Sequence, residues 1–325
     1  MADKGTSLRL CISVSLRYIA FLIITACSVA EAQTQQPFTL TILHTNDEHS
    51  HHLPNADDIG GAARLATVVQ QIRAETDNLL LLDAGDRFTG TDFHDQHRGQ
   101  DSAQIMNLLG YDAMTLGNHE FDDGDEVLAA FIDALEFPVV SANVDFSTSD
   151  ALRGKVELYV VLTVGGESIG IIGLTTRDTQ FEGKAGEGIT FSREYAAIVQ
   201  PIIDQLAADG VNKIVLLTHL GILEETPLAN AVSGVDIIVG GHSHTLLSNT
   251  DATAEGPYPT VFESASGEPV LWVQAGVNGT HVGRIDLTFD ANGILTTWQG
   301  DTLALTANIA ADETMSARIT ELSTP

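Results

Sequence analysis

Cysteine is almost absent from this chain of 325 residues, because only Cys11 and Cys27 occur. Both lie near the N-terminus, and the sequence after residue 32 contains no thiol. This absence excludes disulfide bonds there, and it excludes thiolate ligands for a metal ion. A metal site in this part of the chain would have to consist of carboxylate, imidazole and amide groups.

Basic residues are also scarce. The chain has 15 lysines and arginines against 44 aspartates and glutamates, and its formal net charge is −29. Such a charge repels the phosphates of nucleic acids and the surface of anionic membranes. We therefore expect neither nucleic acid nor a lipid surface as a partner.

A long hydrophobic run is missing as well. The apolar stretch 19–30 is shorter than the roughly 20 residues that a membrane-spanning helix requires. It follows basic residues and ends at Ala30-Glu31-Ala32, which has the small-x-small form of a signal-peptidase site. Residues 1–32 are thus predicted to be a signal peptide, and the mature protein to be exported, periplasmic or secreted, without a transmembrane anchor. An alternative is a lipoprotein anchored at Cys27, because residues 24–27 resemble a bacterial lipobox.

What the chain does contain is a series of five polar blocks, each shortly after an apolar run that is typical of a buried strand. Strand exits in open α/β sheets are where ligands bind, so we expect the five blocks to meet in one crevice. The apolar runs are 40–43, 79–82, 113–116, 214–217 and 237–239. The polar blocks are Asp47-Glu48-His49, Gly85-Asp86, Gly117-Asn118-His119-Glu120, Thr218-His219 and Gly241-His242-Ser243-His244.

Any one of these blocks is weak evidence, because an Asp or Asn after a strand is usually a turn residue or a helix cap. Five in succession are improbable by chance. Together they supply oxygen and nitrogen ligands for a pair of divalent ions.

Helix-like and strand-like stretches alternate after Pro37, which favours an α/β fold. The clearest helix is 61–75, where apolar residues at helical spacing form one stripe. Strands are predicted on both sides of Gly165-Gly166 and, as hairpins, over 270–305, so mixed sheets are expected. Further helices are predicted over 102–109, 125–135, 192–208 with a kink at Pro201, 226–232 and 311–322.

Three stretches carry a family resemblance. Residues 42–49 read Ile-Leu-His-Thr-Asn-Asp-Glu-His, residues 81–86 read Leu-Leu-Asp-Ala-Gly-Asp, and residues 117–122 read Gly-Asn-His-Glu-Phe-Asp. They resemble the calcineurin-like metallophosphoesterases, and within them the 5'-nucleotidases and periplasmic UDP-sugar hydrolases. The resemblance implies a four-layer α/β/β/α sandwich of two mixed sheets, with a catalytic domain over residues 38–305 and a polar helix and tail over 311–325.

The resemblance also implies a cofactor, a pair of divalent metal ions. Asp, Asn and His ligands suit Zn²⁺, Mn²⁺, Co²⁺ or Fe²⁺, and the ligand types alone do not decide among them. The implied ligands are Asp47, His49 and His244 for one ion, Asn118, His219 and His242 for the other, and Asp86 as the bridge between them.

Hydrolysis of a phosphoester is the chemistry that such a pair supports. Two divalent ions lower the pKa of a bridging water, so that hydroxide forms near neutral pH, and they clamp the phosphate oxygens for in-line attack. By resemblance His119 binds no metal but faces the phosphoryl group, where it stabilises developing charge or protonates the leaving oxygen. Asp122 would orient this imidazole; the alternative is that it only begins a turn before the next helix.

The other histidines fit no ligand spacing and are predicted to be surface or structural groups. They are His44, His51, His52, His94, His97 and His281.

The expected function is therefore that of an exported dinuclear-metal phosphoester hydrolase, acting like a 5'-nucleotidase on nucleoside monophosphates or related small phosphate esters. Alternatives on the same scaffold are a 2',3'-cyclic phosphodiesterase, a nucleotide-sugar pyrophosphatase and a thiosulfohydrolase. A binding module without turnover is the alternative from another class, and the intact ligand blocks argue against it. Nucleotidases of this family carry a C-terminal nucleotide-specificity domain that this sequence lacks, so a natural single-domain form or a piece of a longer protein is expected.

Overall fold

Two six-stranded sheets form the centre of the structure, a computed structural model that describes residues 1–2 and 37–324. Most of the predicted signal peptide lies outside the described residues and stays a prediction. The strands are β1 (Phe38–Thr45), β2 (Leu79–Asp83), β3 (Ala113–Thr115), β4 (Val139–Val140), β5 (Val144–Asp145), β6 (Tyr159–Val164), β7 (Glu167–Thr175), β8 (Thr190–Phe191), β9 (Ile214–His219), β10 (Ile237–Val239), β11 (Thr260–Glu263), β12 (Pro269–Val273), β13 (His281–Phe289) and β14 (Leu295–Ala304).

Both large sheets are mixed, as the sequence predicts. The first has the order β14-β13-β1-β2-β3-β4, the second has the order β11-β12-β10-β9-β7-β6, and β5 and β8 form a small separate pair. In the first sheet β1 runs parallel to β2 but antiparallel to β13. In the second sheet β9 lies parallel between β7 and β10, and β6 returns antiparallel to β7 through the turn at Gly165-Gly166.

The helices agree in position with most of the predicted ones. Helix α7 differs, because it begins at Ile222 rather than at residue 226 and continues through Pro227. The short helices α2 and α5 were not predicted. Among residues 37–324 the helices are α1 (Ala62–Glu75), α2 (Asp92–His97), α3 (Gln100–Leu109), α4 (Asp125–Ala134), α5 (Thr179–Glu182), α6 (Tyr195–Ala208), α7 (Ile222–Ala231) and α8 (Glu313–Leu322), and His119–Phe121 form a 3-10 turn.

The alternation of side chains along the strands explains the layers. In β1, Leu40 and Ile42 pack into the core shared with the second sheet, whereas Leu43 packs with α1, α3 and α4 on the opposite face. Helices α6 and α7 cover the outer face of the second sheet. The order helix, sheet, sheet, helix is the four-layer α/β/β/α sandwich that the sequence analysis anticipates.

Helix α8 is less polar on one side than its composition suggests. Met315, Ile319 and Leu322 recur at helical spacing and are buried in the same core as α1 and α3. Asp312 caps the helix by accepting a hydrogen bond from the backbone N–H of Met315. The helix therefore closes the first helical layer of the sandwich.

Within residues 37–324 no helix has both the length and the apolar character needed to cross a bilayer.

Candidate metal centre and active site

The predicted ligand residues meet at one edge of the two sheets, where β1, β2, β3, β9 and β10 end. Asn118 joins the group because its Oδ1 lies 3.0 Å from Nδ1 of His242. All seven residues predicted to bind metal are thus brought together. Three overlapping sets have ligand-capable atoms within 4.8 Å of one another: Asp47 with His49 and His244, Asp86 with His219 and His242, and His49 with Asp86 and His119.

Asp86 occupies the middle of this cluster. Its side chain is buried, and its Oδ2 lies 3.0 Å from Nε2 of His219 and 4.0 Å from Nε2 of His49. Its Oδ1 accepts a hydrogen bond of 2.9 Å from the backbone N–H of His119. The carboxylate therefore borders both predicted ligand sets, which is the position that a bridging ligand needs.

One ring nitrogen of His219 faces the candidate ligand cluster. Its Nδ1 donates to the carbonyl of Ala84 over 2.7 Å, which fixes the ring and aims Nε2 at the centre. Nε2 is fully buried and lies 3.0 Å from Oδ2 of Asp86, but the direction of its N–H does not suit a hydrogen bond to any described residue. Burial alone would lower the pKa of His219, but the charges of Asp86 and Asp47 outweigh it and raise the pKa to about 10. A cation at Nε2 would replace that proton and neutralise the carboxylates, so this donor set fits a divalent ion.

The donor set of Asp47, His49 and His244 also fits a divalent ion. Nε2 of His49 and Nε2 of His244 lie 3.4 Å apart, although imidazole nitrogens gain nothing from facing each other without a proton or an ion between them. The nitrogen of His244 also lies 3.3 Å from Oδ1 of the buried Asp47. The His244 side chain is 46% exposed, so this set opens to solvent.

Backbone strain is concentrated in these residues. Asp47, His49, Asp86, His242 and His244 all have φ between 50° and 74°, a region that non-glycine residues seldom occupy. Each costs on the order of 1–2 kcal/mol relative to the ordinary helical or extended conformation. Strain of this kind persists at functional sites because the surrounding structure enforces it, and here it turns the five side chains toward one point.

Two glycines permit this close convergence. A Cβ on Gly117 would lie 2.1 Å from Oδ1 of Asp86, and a Cβ on Gly241 would lie 2.8 Å from Nδ1 of His219. A side chain at either position would occupy the space of a predicted ligand.

His119 and Asp122 form the predicted pair. Nδ1 of His119 donates to Oδ2 of Asp122 over 2.7 Å, so Nε2 is the nitrogen left for a ligand. The hydrogen bond to Asp122 is the main reason that the pKa of His119 is raised to about 9. The His119 side chain is 38% exposed, so the imidazole lies at the open side of the cluster. Its raised pKa favours the protonated form at neutral pH.

Several positioning residues were not predicted. Glu120 is buried and accepts hydrogen bonds from the backbone N–H groups of Asp86, Arg87 and Gly117, which ties two ligand-bearing loops together. Gln274 directly follows β12, accepts a bond from the backbone of Thr245 and donates to the carbonyl of Gly241. The rule that polar residues at strand exits build the site would have found Gln274, but nothing local indicates the role of Glu120.

The remaining histidines are largely structural, as predicted. His44 bonds to the hydroxyl of Tyr258, and its burial lowers its pKa to about 3. His94 lies 2.8 Å from Asp123, and His97 bonds to the carbonyl of Leu322.

A network of buried charged side chains adjoins the candidate metal ligands. Nη1 of Arg87 lies 3.1 Å from Oδ2 of Asp83, and its Nη2 lies 3.4 Å from Oε2 of Glu48. Nδ1 of His52 lies 3.0 Å from Glu48, and its Nε2 lies 2.8 Å from Asp101. Because Glu48 adjoins Asp47 and Arg87 adjoins Asp86, this network fixes the backbone of two predicted ligands.

Replacing Arg87 by methionine is expected to destabilise the fold by about 3–5 kcal/mol, because the buried carboxylates of Asp83 and Glu48 would lose their shared cation. Urea unfolding of the metal-free protein measures the change. Arg153→Met is the matched control, since Arg153 pairs with the fully exposed Asp150 and its loss should cost no more than about 1 kcal/mol. Equal costs for the two variants would contradict the assigned role of Arg87.

The free energy of unfolding should also fall as the pH rises from about 6.5 to 9, because His52 loses its proton in this range. Burial alone would lower the pKa of His52, but Glu48 and Asp101 outweigh it and raise the pKa to about 9. Because folding raises the pKa of His52, protonated His52 contributes fully to the free energy of unfolding below its unfolded pKa near 6.5. This contribution is lost as the pH rises through 9. The loss is of the order of 3 kcal/mol. Urea unfolding across this range should show a steeper decline in the wild type than in His52→Gln, and parallel slopes would disprove the assignment.

Comparison with known proteins agrees with this geometry. The family model described as calcineurin-like phosphoesterase matches residues 40–246. The chain is similar to the 5'-nucleotidase of Rattus norvegicus, with 39% identity over 305 residues, which is 89% of this chain and 53% of that protein. The snake venom 5'-nucleotidase of Naja atra is 38% identical over 301 residues, which is 88% of this chain and 57% of that protein.

Among solved structures, the 5'-nucleotidase precursor of Thermus thermophilus superposes with a TM-score of 0.86 and 43% identity, over 89% of this chain and 59% of that one. The NAD nucleotidase of Haemophilus influenzae gives a TM-score of 0.76 at 31% identity, over 89% of this chain and 63% of that one. The chain thus spans only about half to two thirds of the length of these relatives. The family match, the shared fold and the converging ligand set together show that the chain belongs to the calcineurin-like phosphoesterase family.

Proposed function

We propose that this protein is a dinuclear-metal phosphoester hydrolase that acts like a 5'-nucleotidase on nucleoside monophosphates or related small phosphate esters. The observation that carries the proposal is the placement of Asp86, which lies between two sets of carboxylate and imidazole ligands. The names of the relatives support a nucleotide as substrate.

The residues present suit two divalent ions. Asp47, His49 and His244 would hold one ion, Asn118, His219 and His242 would hold the other, and Asp86 would contact both. Two bound ions supply an activated water and neutralise the charge of the phosphate. The buried Nε2 of His219 and the facing nitrogens of His49 and His244 are the features that support this occupancy.

His119 supplies the acid chemistry in this proposal. Its Nδ1 is held by Asp122, so its Nε2 carries the proton that can stabilise a phosphoryl oxygen or pass to the leaving oxygen. The open side of the cluster, where His119 and His244 are exposed, is where a substrate would enter.

Export is part of the proposal. The basic residues before the apolar stretch 19–30 and the cleavage pattern at Ala30-Glu31-Ala32 support a signal peptide. Mass determination of the N-terminus after expression in a bacterial host tests this. Cleavage after Ala32 is the expected result, lipidation at Cys27 would place the protein on a membrane, and an intact N-terminus in a cytoplasmic protein would contradict export.

Phosphate release by the purified chain tests the activity. We expect turnover of 5'-AMP that is abolished by EDTA and restored by Mn²⁺, Zn²⁺ or Co²⁺. Parallel assays with UDP-glucose and 2',3'-cyclic AMP, each followed by a phosphatase, and with p-nitrophenyl phosphate rank the ester classes. A protein that binds the metals but hydrolyses none of these esters would contradict the proposal.

A further inference from the structure

One loop beside the candidate centre has no part in the arrangement described above. Residues 176–189, which connect β7 to β8 and include α5, are called the rim loop. Because β7 and β9 are parallel and Thr175 lies opposite His219, the rim loop starts next to a predicted ligand. Farther along, the backbone N–H of Lys184 donates to the carbonyl of Phe121 over 2.9 Å, in the turn that carries His119.

The rim loop also packs against the backbone of Asn118, which belongs to the same predicted ligand set as His219 and His242. A Cβ on Gly183 would lie 3.4 Å from the carbonyl oxygen of Asn118 and 3.0 Å from Cβ of Phe121. The loop therefore runs along the border of the centre, from the end of β7 to the turn at residues 118–121.

The rim loop carries two cations, Arg177 and Lys184, that lie more than 4.0 Å from every described carboxylate, although Asp178, Glu182 and Glu187 are on the same loop. Within residues 37–324, every lysine and arginine except Arg73, Arg177 and Lys184 lies within 4.0 Å of a carboxylate. Arg73 is instead held by the carbonyls of Leu109 and Gly110. In a chain with 44 acidic and 15 basic residues, both cations that the described residues leave unpaired lie on one loop beside the candidate phosphate site.

An aromatic ring accompanies these cations. The guanidinium carbon of Arg177 lies 5.3 Å from the centroid of the Phe181 ring, and Phe181 is 70% exposed. The ring is thus not used by the core. An exposed ring beside a planar guanidinium provides a face for stacking a base and donors for binding a phosphate.

We propose that the rim loop is a subsite for nucleotides that carry a phosphate beyond the one that is cleaved. Arg177 and Lys184 bind this additional phosphate, and Phe181 stacks against the base. The inference rests on the proposed function, because the metal ions are taken to hold the phosphate that is cleaved. The two cations lie outside the metal ligands, so they would add affinity for a second anionic group.

Calorimetric titration of the Mn²⁺-loaded protein tests the subsite. The probes are the ADP analogue whose two phosphorus atoms are joined by a methylene group, and inorganic phosphate for the metal centre alone. We expect Arg177→Gln to weaken binding of the analogue about tenfold, the loss expected for one charged hydrogen bond, while the affinity for inorganic phosphate stays within about twofold. Lys184→Gln and Phe181→Ala should each weaken the analogue about threefold or more. Arg153→Gln, which removes an exposed cation elsewhere, is the matched control and should bind both probes like the wild type.

The outcomes separate the subsite from the proposed function when 5'-AMP hydrolysis is measured on the same samples. If the wild type does not bind the analogue at millimolar concentration, or if all rim-loop variants bind it like the wild type, the subsite is wrong even when 5'-AMP is hydrolysed. If binding depends on Arg177 but no metal-dependent hydrolysis occurs, the subsite stands and the proposed function fails.

Discussion

Replacing Asp86 by asparagine is expected to remove most of the bound metal and to lower phosphate release by more than about 100-fold. Loss of a group in the outer shell of a metal site already costs about 10–100-fold in metal affinity or activity, and Asp86 belongs to two of the candidate ligand groups. The asparagine keeps an oxygen that can accept the hydrogen bond from the backbone of His119, so the loop geometry is retained. Metal content by mass spectrometry and phosphate release from 5'-AMP measure the two effects together.

Asp83→Asn is the matched control for this experiment. Asp83 is also a buried carboxylate, three residues earlier in the chain, but it bonds to Thr45, Gly85 and Arg87 rather than facing the ligand cluster. Its variant should retain bound metal even if the fold is less stable. Full metal occupancy in Asp86→Asn, or equal loss in both folded variants, would contradict the bridging role of Asp86.

Replacing His119 by alanine is expected to leave metal binding intact and to lower turnover by roughly 10²–10⁴-fold, the usual contribution of a positioned acid or base. This variant also shows whether His119 binds a metal ion. The ring of His119 lies within 4.8 Å of ligand atoms on His49 and Asp86, close enough for it to act as a metal ligand instead. Loss of metal in His119→Ala would show that it ligates.

Two further variants sharpen the test of His119. His97→Ala removes a histidine that bonds to the carbonyl of Leu322 on α8, so its turnover should match the wild type. Asp122→Asn removes the charge that helps to keep His119 protonated, so the alkaline limb of the kcat profile should move to lower pH. An unchanged turnover in His119→Ala would disprove the catalytic role.

The sequence predicts that the candidate ligand residues converge, because the information for this is local. Each ligand-bearing block follows an apolar run, and parallel strands carry the blocks to the same edge of the fold. The order of the strands in each sheet is not local information. The sequence gives no sign that β1 lies between β2 and β13, which are separated by about 200 residues of chain.

The start of α7, the role of Glu120 and the apolar side of α8 were not predicted, each for a physical reason. The predicted start of α7 at residue 226 is wrong, because the helix begins at Ile222 after Gly221 and continues through Pro227. Proline is common in the first turn of a helix, so Pro227 one turn farther in obscures the true start. Glu120 was missed because its partners are backbone N–H groups of other loops, which no sequence pattern reveals. Helix α8 was read as polar although the spacing of Met315, Ile319 and Leu322 indicates a buried stripe.

In the proposed site, two divalent ions share Asp86. Crystals of the protein grown with Mn²⁺, measured at the manganese absorption edge, test this arrangement most directly. We expect two anomalous peaks on opposite sides of the Asp86 carboxylate, one beside Asp47, His49 and His244 and the other beside Asn118, His219 and His242. A single peak, or peaks away from these side chains, would contradict it.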